Sequence, residues 1–363
     1  YATFDEHLVR AGEVIILRNL GLKEQAQKLY NDYKIKKNFK YIDEVLEELT
    51  LYGKDKNVSY DETVNRILTK LVKATDTLAE STNLTDTLSA KIHTEDIDLF
   101  WKVFDQTYPN LKAAAFEAEY LEKGSNGLKA FIPNRIESGK NLQKVVMREM
   151  DYYQGIREST LSIEAKRSLI TDHFKKFRAL YPAAILPQVY FVIGAKNTGG
   201  MACRVGQSIG AEIFGKSDGK ITPRLDLDLI DDVVIHELVH FQQRYASDNS
   251  LLAQSIREGS ADFLCELVTG THANQDIYQY GNAHERELWN EFKTRMDKAD
   301  WSGWLYYQRD KSRPKDLGYW MGYKITKAYY DKASDKSIAI KEMLTIQDFK
   351  KFLADSGYVG GID

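Results

Sequence analysis

The pentapeptide His236-Glu237-Leu238-Val239-His240 constrains this chain more than any other stretch, because only a helix brings side chains four positions apart into contact. The surrounding residues, 229–246, contain neither Gly nor Pro, and Asp231 and Asp232 suit a first helical turn. The spacing therefore predicts a helix that carries two imidazoles on one face with a carboxylate between them.

Two neutral imidazoles and an adjacent carboxylate have a specific chemical use. Imidazole nitrogens suit Zn²⁺, and a catalytic zinc keeps three protein ligands and a fourth position for water. Glu237 would then be the general base towards that water. Histidine is scarce here, 7 in 363 residues, so a chance match to the pattern is on the order of one in a hundred. The plainer reading is a pair of polar residues on an amphipathic helix, and a third ligand is needed to decide.

A second helical stretch, 255–267, offers Glu258 and Asp262 four positions apart. By itself such a pair is most often a solvated helix face. Beside the histidine motif it fits two jobs: Glu258 as third ligand, and Asp262 as the carboxylate that receives the other ring N–H of a ligating histidine. Ala261 between them is small enough for close packing.

His236-Glu237-x-x-His240 followed by Glu258-x-x-Ala261-Asp262 resembles the gluzincin metallopeptidases, the group of thermolysin, neprilysin and the zinc aminopeptidases. It is more closely similar to the predicted zinc-dependent proteases of bacterial envelopes, related to gliding-motility lipoproteins. That similarity runs from about residue 93 to about 345, through Gly124-Ser125-x-Gly127-Leu128-Lys129, Ile209-Gly210-Ala211-Glu212, Arg257 to Phe263 and Asp316-Leu317-Gly318-Tyr319. The resemblance implies His236, His240 and Glu258 as Zn²⁺ ligands, Glu237 as base, and Asp262 as the group that orients His236. One departure is the gap of 17 residues between His240 and Glu258, which bears on subfamily more than on ligation.

Hydrolysis of a peptide bond also needs a donor to the growing oxyanion, which in the known branches is a His or Tyr well downstream of the ligand Glu. Tyr319 and Tyr323 share a helical face at that distance and are the two candidates, with His284 as a third. The plainer reading is a Tyr-rich packing helix, in a chain with 22 tyrosines, and a surface histidine. Gly318 and Gly322 would let the tyrosine helix approach a neighbour closely. Arg257 either contacts substrate or pairs with an acid, and pairing is the expectation.

Upstream, 187–195 and 204–215 read as strands separated by the turn Asn197-Thr198-Gly199-Gly200, so a hairpin or short sheet precedes the motif helix. A sheet edge there can hold an extended peptide by main-chain pairing, which favours a peptide or protein substrate. Gly206 and Gly210 would suit close approach of that peptide, with a bulge as the ordinary alternative. Glu212 would bind a substrate α-amine or cap the sheet edge.

The remainder is mainly helical. Residues 1–92 show helical periodicity without recognisable chemistry, and the polar Ser81-Thr82-Asn83 marks a candidate boundary near residue 90. A net charge of −3 with interleaved signs gives no nucleic-acid signal. No run approaches the roughly 18 apolar residues of a membrane helix. The chain starts at Tyr1, which leaves room for a removed signal peptide or lipid-anchored leader. Cys203 and Cys265 are too few for a disulfide framework; Cys265 is expected as a buried thiol.

Together these readings predict an α+β fold, mostly helical and zincin-like, with a small sheet before the active-site helix. Residues 1–92 would form a helical extension and 93–363 the catalytic domain. The expected activity is a Zn²⁺-dependent peptidase, periplasmic, secreted or an outer-membrane lipoprotein by resemblance. The competing classes are a catalytically silent, zinc-stabilised envelope assembly protein and a zinc hydrolase of non-peptide amides.

Overall fold

A computed structural model describes residues 4–36, 39, 41–54, 58–68, 70, 91–203, 206–216, 224–306 and 312–361. The chain divides into two compact units, Tyr1–Thr85 and Asp86–Asp363. The polar stretch 81–83 and the candidate boundary near residue 90 lie outside the described residues.

The first unit contains the helices Phe4–Asn19, Lys23–Asn31 and Ile42–Tyr52. Ala11, Val14, Ala26, Ile42, Val45 and Leu46 recur at helical spacing and close a small core with Tyr33, Phe39 and Ile67.

The second unit is mostly helical and carries a four-stranded sheet, β1 Ile92–His93, β2 Val189–Val192, β3 Gly200–Cys203 and β4 Gly206–Gly210, in the order β1-β2-β4-β3. β2 and β4 are buried at every position; the apolar run Val189–Val192 suits the middle of a sheet, whereas β4 carries the buried polar Gln207 and Ser208. The two segments read as strands do not pair as a hairpin: β2 and β4 run parallel, Val189 opposite Gln207 through Val192 opposite Gly210. The short strand β3 lies between them in sequence and pairs antiparallel with β4, Gly200 opposite Ile209. Two glycines that signal a turn thus lead into an edge strand. Gly206 has φ +143°, and a Cβ there would lie 2.1 Å from the Gln188 carbonyl oxygen, so only glycine fits.

Three long helices pack in series, the first of them against β3 and β4 of this sheet. The motif helix is Ile230–Gln242, the glutamate helix Leu251–Thr269, and the tyrosine helix Leu317–Lys332. The motif helix is shorter than its periodicity suggests: beyond Gln243 the chain is extended, and the Arg244 and Ala246 amides donate to the Leu344 and Ile346 carbonyls. Ser250 caps the glutamate helix by accepting from the Ala253 amide, and Gly270 ends it in the left-handed region at φ +89°. Small residues set the separation of the glutamate and tyrosine helices. A Cβ on Gly322 would lie 1.7 Å from the Ser255 carbonyl oxygen, and one on Gly259 would lie 2.0 Å from the Tyr323 nitrogen. No helix among the described residues is long and apolar enough to cross a membrane.

Candidate metal centre

One helical turn separates His236 from His240, and the glutamate helix crosses beneath them with Glu258 facing both. His236 Nε2 and His240 Nε2 lie 3.0 Å apart, Glu258 Oε2 is 3.1 Å from His240 Nε2, and it is 3.4 Å from His236 Nε2. Neutral imidazoles that turn two lone pairs on one point at this separation repel each other unless a cation lies between. With Zn–N near 2.0–2.1 Å, a tetrahedral site has ligand–ligand edges of about 3.3 Å, and the three atoms match that spacing. Among the described residues they are the group of His, Cys, Asp and Glu able to converge on a metal. The two-histidine, one-carboxylate donor set suits zinc.

The outward nitrogens are occupied, which fixes both tautomers. His236 Nδ1 donates to Asp262 Oδ1 at 2.8 Å, and the other oxygen of Asp262 accepts from Asn274 Nδ2 and the Tyr278 hydroxyl, each at 2.9 Å. His240 Nδ1 donates to Gln243 Oε1 at 2.9 Å, while Gln243 Nε2 donates to the Arg257 carbonyl and Ser260 Oγ at 2.8 and 3.1 Å. Each imidazole is therefore held so that Nε2 faces the centre.

Charge follows this geometry. Burial opposes charge on His236, but hydrogen bonds to Asp262 and Glu258 outweigh it and hold the ring well above its usual pKa. Burial likewise opposes charge on His240, and Glu258 reverses the balance upward. Glu258 is held well below the carboxylate range, because the two imidazoles overcome its own burial. Metal ligands bind in their deprotonated form, so a cation at this centre would compete with protons for the two imidazoles. Glu237 moves the other way: burial raises its pKa, partly offset by His240, His236 and Arg135. A raised carboxyl pKa suits a group that must accept and return a proton near neutrality.

Glu237 also touches the sheet. A Cβ on Gly200 of β3 would lie 2.6 Å from Glu237 Oε1, so glycine at the start of the edge strand admits the carboxylate.

Of the proposed oxyanion donors, Tyr319 stacks on His236 with ring centroids 6.0 Å apart. Tyr323 does not reach the centre: its hydroxyl donates to Glu266 Oε2, and its ring packs edge-on against Phe263 and Tyr278. Four residues along a helix is about 40° out of phase, enough to aim the second tyrosine at the next acid. His284 stacks on Tyr280 and bonds its carbonyl, within the junction of two helices, Gln275–Ala283 and Glu285–Lys293. Glu212 is fully buried, and Oε1 accepts from the Lys196 amide at 3.0 Å. Its pKa is pushed up to about 7 by burial, so it organises the loop after β2 rather than meeting a substrate amine. Gly210 lies on the interior strand β4, with its Cβ position 2.2 Å from the Thr198 carbonyl oxygen, and so does not face a ligand. Arg257 lies over the Tyr245 ring, 5.1 Å from its centroid, and pairs with no acid among the described residues. Cys265 is a buried free thiol; the side chain of Cys203 lies outside the described residues.

Sequence reasoning missed Gln243, Gly200 and Tyr306. The Tyr306 hydroxyl donates to Glu258 Oε1 at 2.6 Å, while its amide donates to Asp316 Oδ1 at 2.6 Å. Gln243 sits one turn after His240, a signal legible in principle. Tyr306 and Gly200 come from irregular or edge segments where no period points at the centre. The motif Gly124-Ser125-x-Gly127 proves structural: Ser125 caps the helix Asn126–Phe131, and Gly127 lies against the Tyr190 ring.

Residues 213–351 match the model of a family described as a predicted Zn-dependent protease. The match spans the motif, glutamate and tyrosine helices, while β1 to β4 precede it. No curated protein and no solved structure matches the chain.

Proposed function

We propose that this chain is a single-zinc peptidase of gluzincin type, similar to the envelope proteases related to gliding-motility lipoproteins, on a zincin-like fold over 93–363 with 1–92 as an extension. The observation that carries this reading is the triangle of donor atoms at 3.0, 3.1 and 3.4 Å, with both histidine Nδ1 atoms tied to partners outside it.

His236, His240 and Glu258 hold the ion, and Zn²⁺ bound there supplies Lewis acidity towards water and a scissile carbonyl. Asp262 and Gln243 orient the two imidazoles. Glu237 takes the proton from the attacking water and passes it to the leaving amine. The Tyr319 hydroxyl, beside His236, donates to the oxyanion as charge grows on the carbonyl oxygen. A peptide lies along the open edge of β3, where main-chain pairing aligns it with Glu237 beside Gly200. By resemblance the protein works in the bacterial envelope or outside the cell, free or lipid-anchored.

The test is zinc content per chain together with cleavage of an unbiased peptide library, for wild type and Glu237→Gln. One zinc in both proteins with cleavage by wild type alone supports the reading. One zinc with no cleavage by either points instead to a zinc-stabilised assembly protein, and cleavage of amides outside peptides alone points to a different hydrolase.

A further inference from the structure

Arg135 sits in the short helical turn Ile132–Ile136, which follows the helix Asn126–Phe131 against the sheet. Its carbonyl accepts from Asn197 Nδ2 at 2.8 Å, tying the turn to the loop that runs through Gly199 into the edge strand β3. That strand brings Gly200 against Glu237, so Arg135 belongs to the same side of the centre as the general base. Its positive charge is among those near enough to Glu237 to offset a small part of the effect of burial, which still leaves that carboxyl raised.

The guanidinium itself is unspent. Its Nε is buried without a hydrogen-bond partner, and among the described residues no ion pair or hydrogen bond engages the side chain. Half-buried arginines are normally paired, because removing the cation from water is expensive unless an anion or acceptor replaces the lost hydration. Glu237 does not form that pair; it stays available for proton transfer. A planar fork with free donors beside a hydrolytic centre matches a carboxylate, which it can grip with two parallel N–H···O bonds.

We propose that Arg135 is a specificity residue that recognises a carboxylate of the substrate, either the chain terminus or an acidic side chain, held near the scissile bond by the edge strand. This rests on the peptidase reading for the word substrate, but carboxylate recognition is measurable without turnover. A role limited to tuning Glu237 would alter rates and leave binding preference unmoved.

The experiment uses the full zinc-loaded chain carrying Glu237→Gln, so that peptides bind without being consumed. Three peptide pools are offered: free C-termini without Asp or Glu, amidated C-termini with Asp and Glu, and amidated C-termini without either. Retained peptides are counted by mass spectrometry. The expected result is about tenfold enrichment of one carboxylate-bearing pool over the neutral pool. Which pool is enriched names the source. Adding Arg135→Gln should erase the enrichment with zinc content and melting temperature unchanged, and Arg135→Lys should keep part of it. Equal retention of all pools, no retention of any, or enrichment that survives Arg135→Gln overturns the proposal. If enrichment depends on Arg135 yet the chain with Glu237 intact cleaves none of the pools, recognition stands and the peptidase reading fails.

Discussion

The two sides of the metal centre are built differently. On the helical side, His236, His240, Glu258 and Asp262 come from regular turns, and their mutual placement follows from spacing along two helices. On the sheet-and-loop side, Gly200, Arg135 and Tyr306 come from an edge strand, a five-residue turn and an irregular segment. The helical side fixes what the centre binds. The other side surrounds the ligands and the proposed base, and it depends on contacts between residues far apart in sequence. The candidate ligands are thus placed by local spacing, and their surroundings by non-local contacts.

The largest expected effect strikes the helical side. Gly322→Ala drives a methyl group into the Ser255 backbone, where the glutamate and tyrosine helices cross. It should destabilise the protein by about 3 kcal/mol and lower zinc affinity with it, read by thermal melts with and without chelator. A matching substitution at Gly270 meets no neighbouring atom within 4 Å and should leave zinc affinity alone, although its positive φ favours glycine.

The sheet side answers to pH instead. Glu212, buried with a pKa near 7, binds its proton more tightly folded than unfolded, where the ordinary value is 4.5. Its contribution is therefore fully present below about pH 4.5 and is lost as pH rises through 7, by roughly 3 kcal/mol. Glu212→Gln should flatten stability over that window, as measured by denaturant midpoints from pH 5 to 8. An unchanged slope would show that this carboxyl does not titrate there.

Between the two histidines the comparison sharpens. Asp262→Asn replaces a charged acceptor shared by His236, Asn274 and Tyr278, and should weaken zinc binding towards the upper end of the 10- to 100-fold range for such partners. Gln243→Ala removes only a neutral amide behind His240 and should fall near about tenfold. Competition with a fluorescent chelator ranks them, and the reverse order would misplace the stronger support.

The helical side is legible in the amino-acid sequence because each assignment needs only one turn of helix and one crossing. Sheet order is not. β3 is short, begins with Gly200 and looks like the tail of a turn, so the apparent hairpin resolves into two parallel strands with an antiparallel edge. Tyrosines show the same limit from within a helix: Tyr319 and Tyr323 look equivalent by period, yet one stacks on His236 and the other bonds Glu266. Tyr306 lies 48 positions from Glu258 in a segment without periodicity, and only tertiary folding reveals their bond.

The smallest predicted effects separate these tyrosines. Tyr306→Phe removes the donor to Glu258 and should reduce zinc affinity by about tenfold with little change in stability. Tyr323→Phe should leave zinc affinity unchanged and reduce stability by about 1 kcal/mol, the net worth of its bond to Glu266. Equal effects of the two on metal binding would erase the distinction drawn between them.

The most direct test of the metal centre is zinc K-edge X-ray absorption on the purified chain, alongside metal content for wild type and Glu258→Ala. One zinc per chain with two imidazole nitrogens, light oxygen ligands and no sulfur, bound by wild type and lost from Glu258→Ala, is the predicted result. A sulfur ligand, or zinc retained at full stoichiometry by Glu258→Ala, would contradict the assignment of His236, His240 and Glu258.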